Sequence, residues 1–260
     1  MSLLRLDLNE VGLATLTRKE VKRFWSVLGQ TVTAPVMTAL LYLLVFGQVM
    51  QDRVEVYPGV GYTQFLVPGL IMMSVIQNAY GNIVSSFFGA KFQRFVEEML
   101  VSPMPGWTIL AGYVAGAVMR GLMVGVIVLL IAMLFTRVRL PHPLITLSTV
   151  LLGATIFSLA GFINAVYAKK FDDVAIVPVF ILTPLTYLGG VFYSVKLLPG
   201  WAQTLTHANP IFYMVNAFRY GLLGVSDVPL WMAYALMFGF VAVLGALGLW
   251  LLQRGVGLRS

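Results

Sequence analysis

Apolar residues dominate six long stretches of the chain, about 28–49, 65–88, 107–135, 144–167, 174–192 and 231–252, separated by short polar segments. A run of roughly 20 apolar residues crosses the hydrocarbon of a bilayer as a helix, so the pattern predicts an all-α membrane protein with six transmembrane helices. The first stretch tolerates Gln30 and Pro35, and the second carries Gln77, Asn78, Asn82, Ser85 and Ser86. The third is interrupted only by Arg120, which at about 1.5 Å per residue falls close to the bilayer midplane. The fourth holds Asn164, and the fifth contains Pro178, Pro184 and Gly189-Gly190, which predict a kinked or broken helix.

Shorter pieces carry a helical period of their own. In residues 91–100 the apolar Phe92, Phe95, Val96, Met99 and Leu100 recur at i, i+3, i+4, i+7 and i+8, with Lys91, Gln93, Arg94, Glu97 and Glu98 on the other side. This spacing predicts one amphipathic helix that stops at Ser102-Pro103-Met104-Pro105 and pairs Arg94 with Glu97 and Glu98. Near the N-terminus Thr17-x-x-Glu20 reads as a capping box, and Val21, Phe24, Trp25 and Leu28 follow at helical spacing, which predicts an amphipathic helix at the membrane interface. Residues 51–62 form a polar loop, and Lys169-Lys170-Phe171-Asp172-Asp173 a tight charged turn. Between the fifth and sixth spans, Pro199-Gly200 and Asn209-Pro210 cut residues 193–224 into pieces too short to cross, read as re-entrant or interfacial helices. There Asn209 suits an N-cap, Pro210 the first helical position and Gly224 the stop.

Composition agrees with this pattern. Of 260 residues 59% are hydrophobic and only 10% charged, against about a quarter charged in soluble proteins. The absence of cysteine removes disulfides and thiolate metal sites. Met1 to Glu10 mix Arg5, Asp7 and Glu10 with leucines, so no cleavable signal peptide is expected. The excess of 17 Lys+Arg over 10 Asp+Glu reflects orientation rather than nucleic-acid binding. Six spans put both termini on one side. That side collects 11 Lys/Arg from the N-terminal segment, Lys91 and Arg94, Lys169 and Lys170, and the tail; the other collects Arg53, Arg137, Arg139, Lys196 and Arg219. Positive residues favour the cytoplasm, so the termini, the 91–100 segment and the Lys169 turn are expected there. The expected organisation is one transmembrane domain over 1–260: an interface segment at 1–27, the spans within 28–252 and a cytoplasmic tail at 253–260.

Moving a solute uphill requires an energy source. Ion-coupled carriers bury carboxylates or histidines as relays, and none falls inside the six stretches. The chain also has no Gly-x-x-x-x-Gly-Lys-Ser/Thr loop to cradle ATP, so any ATPase is a separate polypeptide and the 91–100 segment its natural handle. The alternative is a membrane enzyme acting on a lipid or prenyl diphosphate, with Asp172 and Asp173 holding Mg²⁺; adjacent aspartates do not share a helical face, and hydrolase signatures are absent. A channel is disfavoured by the lack of a filter motif.

Phe65-Leu-Val-Pro-Gly69, the run from Lys91 to Pro105, Leu182-Thr-Pro-Leu-Thr-Tyr-Leu-Gly-Gly190 and His207-Ala-Asn-Pro-Ile-Phe-Tyr-Met-Val-Asn-Ala-Phe-Arg219 together resemble the membrane subunit of an ABC-2 type exporter. The resemblance covers essentially the whole chain and is to Yad-type inner-membrane permeases in particular, with nodulation-factor and polysaccharide export permeases more distant. It implies a homodimer in the bacterial inner membrane bound to two copies of a cytoplasmic P-loop ATPase that binds ATP and Mg²⁺, with no cofactor in this chain. It also implies a coupling helix at Lys91 to Leu100, comprising Lys91, Phe92, Arg94, Phe95, Val96, Glu97, Glu98 and Met99. A second ATPase contact would fall at Lys169, Lys170, Asp172 and Asp173, exit-capping helices within 195–224, and a path between subunits lined partly by spans two and five.

Single residues keep two readings each. Arg120 faces the path and an anionic cargo, or bonds to backbone carbonyls or Asn side chains within one subunit. Gln77, Asn78 and Asn82 line the path or join helices. Tyr187, Phe192 and Tyr193 touch a lipid-like cargo or form an interfacial aromatic belt. His142 and His207 lack ligand-spaced neighbours and are expected to be solvated.

Overall fold

A computed structural model of the chain describes residues 2–47, 49, 55–57, 59–138 and 140–257. Residues 51–54 and 58 of the predicted polar loop at 51–62, Arg53 among them, together with Arg139, Arg259 and the side chain of Arg5, lie outside the described residues. The architecture is all-α apart from one small antiparallel pairing of β1 (Glu55–Tyr57) with β2 (Val60–Gly61), in which Glu55 faces Gly61 and Tyr57 faces Val60. The helices are α1 (Ser2–Ser26), α2 (Leu28–Tyr42) continued by a π-helical turn Leu43–Gly47, α3 (Tyr62–Phe92), α4 (Phe95–Val101), α5 (Gly106–Phe135) and α6 (Pro143–Tyr167). They continue with α7 (Phe171–Val177), a π-helical turn Pro178–Leu182, α8 (Thr183–Tyr187), α9 (Gly200–His207), α10 (Pro210–Leu223) and α11 (Leu230–Arg254).

Among the described residues four helices are long and apolar enough to cross a membrane: Leu28–Gly47, Gly106–Phe135, Pro143–Tyr167 and Leu230–Arg254. Helix α3, with 31 residues, is about 46 Å long at 1.5 Å per residue, but its amides and hydroxyls dilute its hydropathy. The reason is its position: 23 of its residues are buried, because α5 and α6 pack along it and α10 crosses it. A helix wrapped by protein has no need of a lipid-facing apolar surface. The predicted fifth span is helical from Phe171 to Tyr187, but its α-helical register is interrupted by a π-helical turn at its first proline. Pro178 opens the π-helical turn, Thr183 Oγ1 donates to the Pro178 carbonyl at 2.8 Å, and the helical run ends with α8 at Tyr187.

Close approach between helices depends on glycine. A Cβ at Gly161 of α6 would lie 2.7 Å from Ile83 Cγ2 and 2.8 Å from the Tyr80 carbonyl of α3. At Gly112 and Gly116 of α5 it would lie 2.7 Å from Leu16 Cβ and 2.3 Å from Glu20 Cβ of α1. This small-x-x-x-small pair lets the side chains of Leu16 and Glu20 on α1 press against the backbone of α5. Helix α1 is therefore not started by a capping box: Thr17 sits inside a helix that begins at Ser2, and Leu16, Glu20 and Phe24 form its buried stripe.

Helices α3, α6 and α11 run one way and α5 the other, which brings Phe92, Gly106, Tyr167 and Arg254 to one end of the bundle. At the opposite end the predicted local caps are present. Asn209 Oδ1 accepts from the Ile211 N–H at 2.9 Å, Pro210 starts α10, and Gly224 adopts φ +75° after it. Helix α10 itself is a core element rather than an interfacial one, with Ile211 to Arg219 buried. Arg219, counted among the charges of the outward side, is fully buried, because its guanidinium lies 3.9 Å from the Phe65 ring centroid and Nη2 donates to the Gly190 carbonyl at 2.7 Å. The histidines expected to be solvated keep open faces, His207 exposed and His142 half-buried, while each also meets a ring. His142 stacks on Tyr220 at 4.9 Å, and His207 meets Phe212 edge-on at 5.2 Å.

The Gly116 contact makes a direct prediction. Gly116→Ala forces α1 away from α5 and costs about 1–3 kcal/mol of stability, whereas Gly81→Ala on α3, where a Cβ meets nothing within 4 Å, is neutral or stabilising by up to about 1 kcal/mol. Thermal unfolding of the two variants in detergent reads the difference, and equal effects would contradict the close approach.

Candidate functional site

The Lys91 end of the bundle gathers both charged segments singled out in the sequence. Helix α3 stops at Phe92 because the chain turns: the Gln93 N–H bonds to Gly89 O, the Arg94 N–H bonds to Lys91 O, and Arg94 adopts the left-handed φ of +63° that glycine usually takes after a helix. The expected single helix over 91–100 is therefore two, the last turn of α3 and the separate α4. Periodicity does not register the break, because one left-handed residue preserves the apolar spacing while re-aiming the chain. Arg94 becomes the residue that ends α3 and begins α4, not a member of a continuous polar face. Val96, expected on a docking ridge, is buried, and Met99 is half-buried with its sulfur 4.0 Å from the Tyr113 hydroxyl.

Lys91 is not free to meet a partner either. Its Nζ donates to the carbonyls of Val166, at 2.5 Å, and Ala168, at 2.8 Å, where α6 ends. A cation there satisfies carbonyls that the helix leaves without partners. Immediately beyond, Asp173 Oδ2 accepts from the backbone N–H groups of Lys169 and Lys170 at 2.9 and 3.0 Å and so caps α7. Those two N–H groups hold its carboxyl below the ordinary carboxylate range. A carboxylate used in this way is a helix cap, which leaves only Asp172 turned to solvent for the metal-binding alternative.

Aromatic rings join the two segments. Phe171 lies 5.0 Å from Phe88 and 5.0 Å from Phe92. The outer rings remain open: Phe92 is 63%, Phe95 46% and Phe171 62% exposed. Around them stand the exposed Arg94, Glu98, Lys169, Lys170 and Asp172, with Glu97 half-buried. On the other flank of α4 a groove of about 420 Å³ runs between Leu16 and Lys19 of α1 and Phe95, Glu98 and Met99.

The predicted path residues separate into three groups. Gln77, Asn78 and Arg120 meet at a polar cavity of about 280 Å³ between α2, α3 and α5, and Gln77 also borders a second cavity of about 400 Å³ between α3 and the broken α7–α8 segment. Asn82 is enclosed beside the first cavity, where its Oδ1 accepts from Arg120 Nη1 at 3.4 Å and from Arg23 Nη2 at 2.7 Å. Tyr187 and Phe192 lie at the far end with Tyr42, whose hydroxyl is 2.7 Å from that of Tyr187, while half-buried Tyr193 stands apart from this ring cluster.

Sequence reading missed Glu20 and Arg23. Glu20 is fully buried, accepts from Ser86 Oγ at 2.5 Å and pairs with Arg23 Nε at 3.4 Å. The signal was a charge at the centre of the Leu16, Glu20, Phe24 stripe, which a solvated helix would not place there. For the end clamp, Lys91→Met keeps the stem and leaves two carbonyls without a donor, at a cost of about 1.5 kcal/mol read by thermal unfolding in detergent. The Asp173 cap is fully present above the unfolded carboxylate pKa of about 3.9 and is lost as pH falls through its lower folded value. Hydrogen exchange at the start of α7 should therefore quicken only below about pH 4 in the wild type, but at every pH in Asp173→Ala.

Residues 12–223 match the ABC-2 type transporter family. The chain is 50% identical over 250 residues to the inner membrane transport permease YadH of Escherichia coli K12, covering 96% of this chain and 98% of that one. More distant similarity, 27% over 200 residues, links it to nodulation protein J of Sinorhizobium fredii, covering 76% of this chain and 74% of that one. Nodulation protein J of Rhizobium leguminosarum bv. viciae is 25% identical over 189 residues, 71% of this chain and 72% of the relative. The helical architecture, the long apolar helices and the extent of this match make the chain a member of the ABC-2 type transporter family.

Proposed function

We propose that this chain is the membrane-spanning permease subunit of an ATP-driven exporter in a bacterial inner membrane. Its six spans are α2, α3, α5, α6, the broken α7–α8 segment and α11, within one transmembrane domain over 1–260 whose two termini are cytoplasmic. Two copies enclose the translocation path. Two copies of a cytoplasmic P-loop ATPase bind ATP and Mg²⁺, and this chain contributes no catalytic residue.

The observation that carries the reading is the aromatic patch of Phe92, Phe95 and Phe171 at the Lys91 end, rimmed by Arg94, Glu98, Lys169, Lys170 and Asp172. An apolar patch covered by lipid tails has no reason for a charged rim, whereas exposed rings circled by charge are the usual anatomy of a protein-docking surface. Both segments of the patch rest on the ends of long helices, so a partner bound there grips the bundle itself. The name of the Escherichia coli relative, a transport permease, agrees with this role.

Co-expression with the P-loop ATPase encoded beside the gene, followed by purification through a tag on this chain, should yield a stoichiometric complex that hydrolyses ATP. Phe95→Ala removes the exposed ring of α4 and should weaken ATPase binding by about 2 kcal/mol, roughly thirtyfold; Glu98→Lys should also lose coupling. Trp201→Ala, at the opposite end, should change neither. A chain that purifies alone beside that ATPase, or mutants that retain wild-type cargo-stimulated hydrolysis, would overturn the reading.

A further inference from the structure

The polar cavity between α2, α3 and α5 has a charge imbalance that the scaffold does not explain. Two arginines, Arg23 and Arg120, converge on the single amide oxygen of Asn82, at 2.7 and 3.4 Å. The one carboxylate in the cluster, Glu20, is already taken by Arg23 and Ser86. Among the described residues Arg120 has no carboxylate within ion-pair distance. A half-buried cation without a counter-ion is costly at membrane depth, and this one stands halfway along α5, where a membrane-spanning helix is farthest from either surface.

The cavity beside Arg120 is furnished for an oxyanion. Gln30, Thr38, Ser74, Gln77 and Asn78 supply hydroxyl and amide donors around it. Two buried atoms of lining residues lack partners, Arg120 Nε and Thr31 Oγ1, and so does Nδ2 of Asn82, which neighbours Arg120. Thr31 and Asn82 are themselves 1% and 0% exposed. The volume of about 280 Å³ equals roughly nine waters at about 30 Å³ each, enough for a phosphate or carboxylate headgroup. One turn beyond Thr38 on α2 stands Leu41, 56% exposed, with Met37 beside it at 51%. An apolar surface thus continues outward from the polar cavity along one helix.

We propose that this cavity binds the anionic headgroup of an amphiphile, its phosphate or carboxylate paired with Arg120 and its apolar tail lying along Met37 and Leu41. The inference deepens the export function proposed above by assigning the class of molecule the permease takes up. It is testable without the ATPase, so a failure of the exporter reading and a failure of this one are distinguishable.

The test titrates the purified chain, in detergent and without any ATPase, with dihexanoyl phosphatidylglycerol, dihexanoyl phosphatidylcholine and inorganic phosphate, using calorimetry or native mass spectrometry. Phosphatidylglycerol should bind roughly tenfold or more tightly than phosphatidylcholine, and Arg120→Gln should erase that preference, as loss of a charge-assisted contact requires. Arg120→Lys should retain most of it. Gln30→Leu, at an exposed position that carries no core packing, should weaken binding severalfold and covers the case in which Arg120→Gln fails to fold. Phosphate binding as tightly as the lipid would assign a free-oxyanion source, and phosphate binding at least roughly tenfold more weakly would assign the amphiphile. Equal binding of the two lipids, or a preference that survives both Arg120→Gln and Gln30→Leu, would overturn the proposal and leave the cavity to water.

Discussion

Enclosure of α3 is the constraint on which the rest of the bundle depends. A helix lined by other helices has no water to satisfy its side chains, so each amide and hydroxyl it carries must find a protein partner or a cavity. Helix α3 carries several, and their partners account for the neighbouring elements. Asn82 and Ser85 receive Arg23 from α1, and Ser86 donates to Glu20 of the same helix. Asn78 returns its amide to Ser74 within α3. The glycines of α5 at 112 and 116 allow α1 to come close enough to deliver those charges. An N-terminal segment that would otherwise lie on the membrane surface thereby becomes part of the wall around α3.

Much of this architecture was legible in the chain. The apolar runs located the long helices, Pro178 and Pro184 announced the broken segment, and Asn209, Pro210 and Gly224 marked the ends of α10. These features were legible because each is a local property: a run length, a missing N–H, a side chain that caps its own turn. What escaped was set by residues distant in sequence. Glu20 looked like a cap until its partner Ser86, 66 positions away, came beside it. Arg219 counted as a cation of the outward surface until Phe65 offered a ring face. The break at Arg94 was hidden because a single left-handed residue leaves the apolar spacing unchanged. The candidate site was legible as two charged segments but not as one surface, since the contact of Phe88 and Phe92 with Phe171 joins positions about 80 residues apart.

The two ends of α3 are held by different chemistry. At the Thr63 end the hydrogen bonds of α3 are neutral, Thr63 Oγ1 donating to the Gly47 carbonyl at 2.9 Å and the Tyr62 hydroxyl to the Phe192 carbonyl at 2.9 Å, and a cation, Arg219, covers the face of the Phe65 ring. At the Lys91 end an ammonium clamps the last carbonyls of α6, and charge-assisted bonds are stronger than neutral ones. Phe92, Arg94 and Phe95 stand exposed around the Lys91 end, whereas Tyr62 and Thr63 are buried, so the charge-assisted tie lies at the open surface and the neutral ties where burial shields them. Both ends are thereby anchored despite their different surroundings.

That arrangement bears on how a docked partner would act. Helix α4 has only seven residues, too few to be stable alone, and a left-handed residue separates it from α3. On those grounds it would be a loose flap that absorbs any displacement. Three contacts prevent this: Val96 is buried in the core, Met99 meets Tyr113 of α5, and Phe92 in the turn just before α4 is locked to Phe171 beyond the end of α6. Lys91 joins the same turn to α6 directly. Displacement at the aromatic patch is therefore shared among α3, α5 and α6 as one packed unit, because close-packed side chains transmit strain instead of yielding to it. The cavity at Arg120 lies between two of those helices, α3 and α5, so it is the place in the bundle where a shift of one against the other would first change the pairing of a half-buried charge.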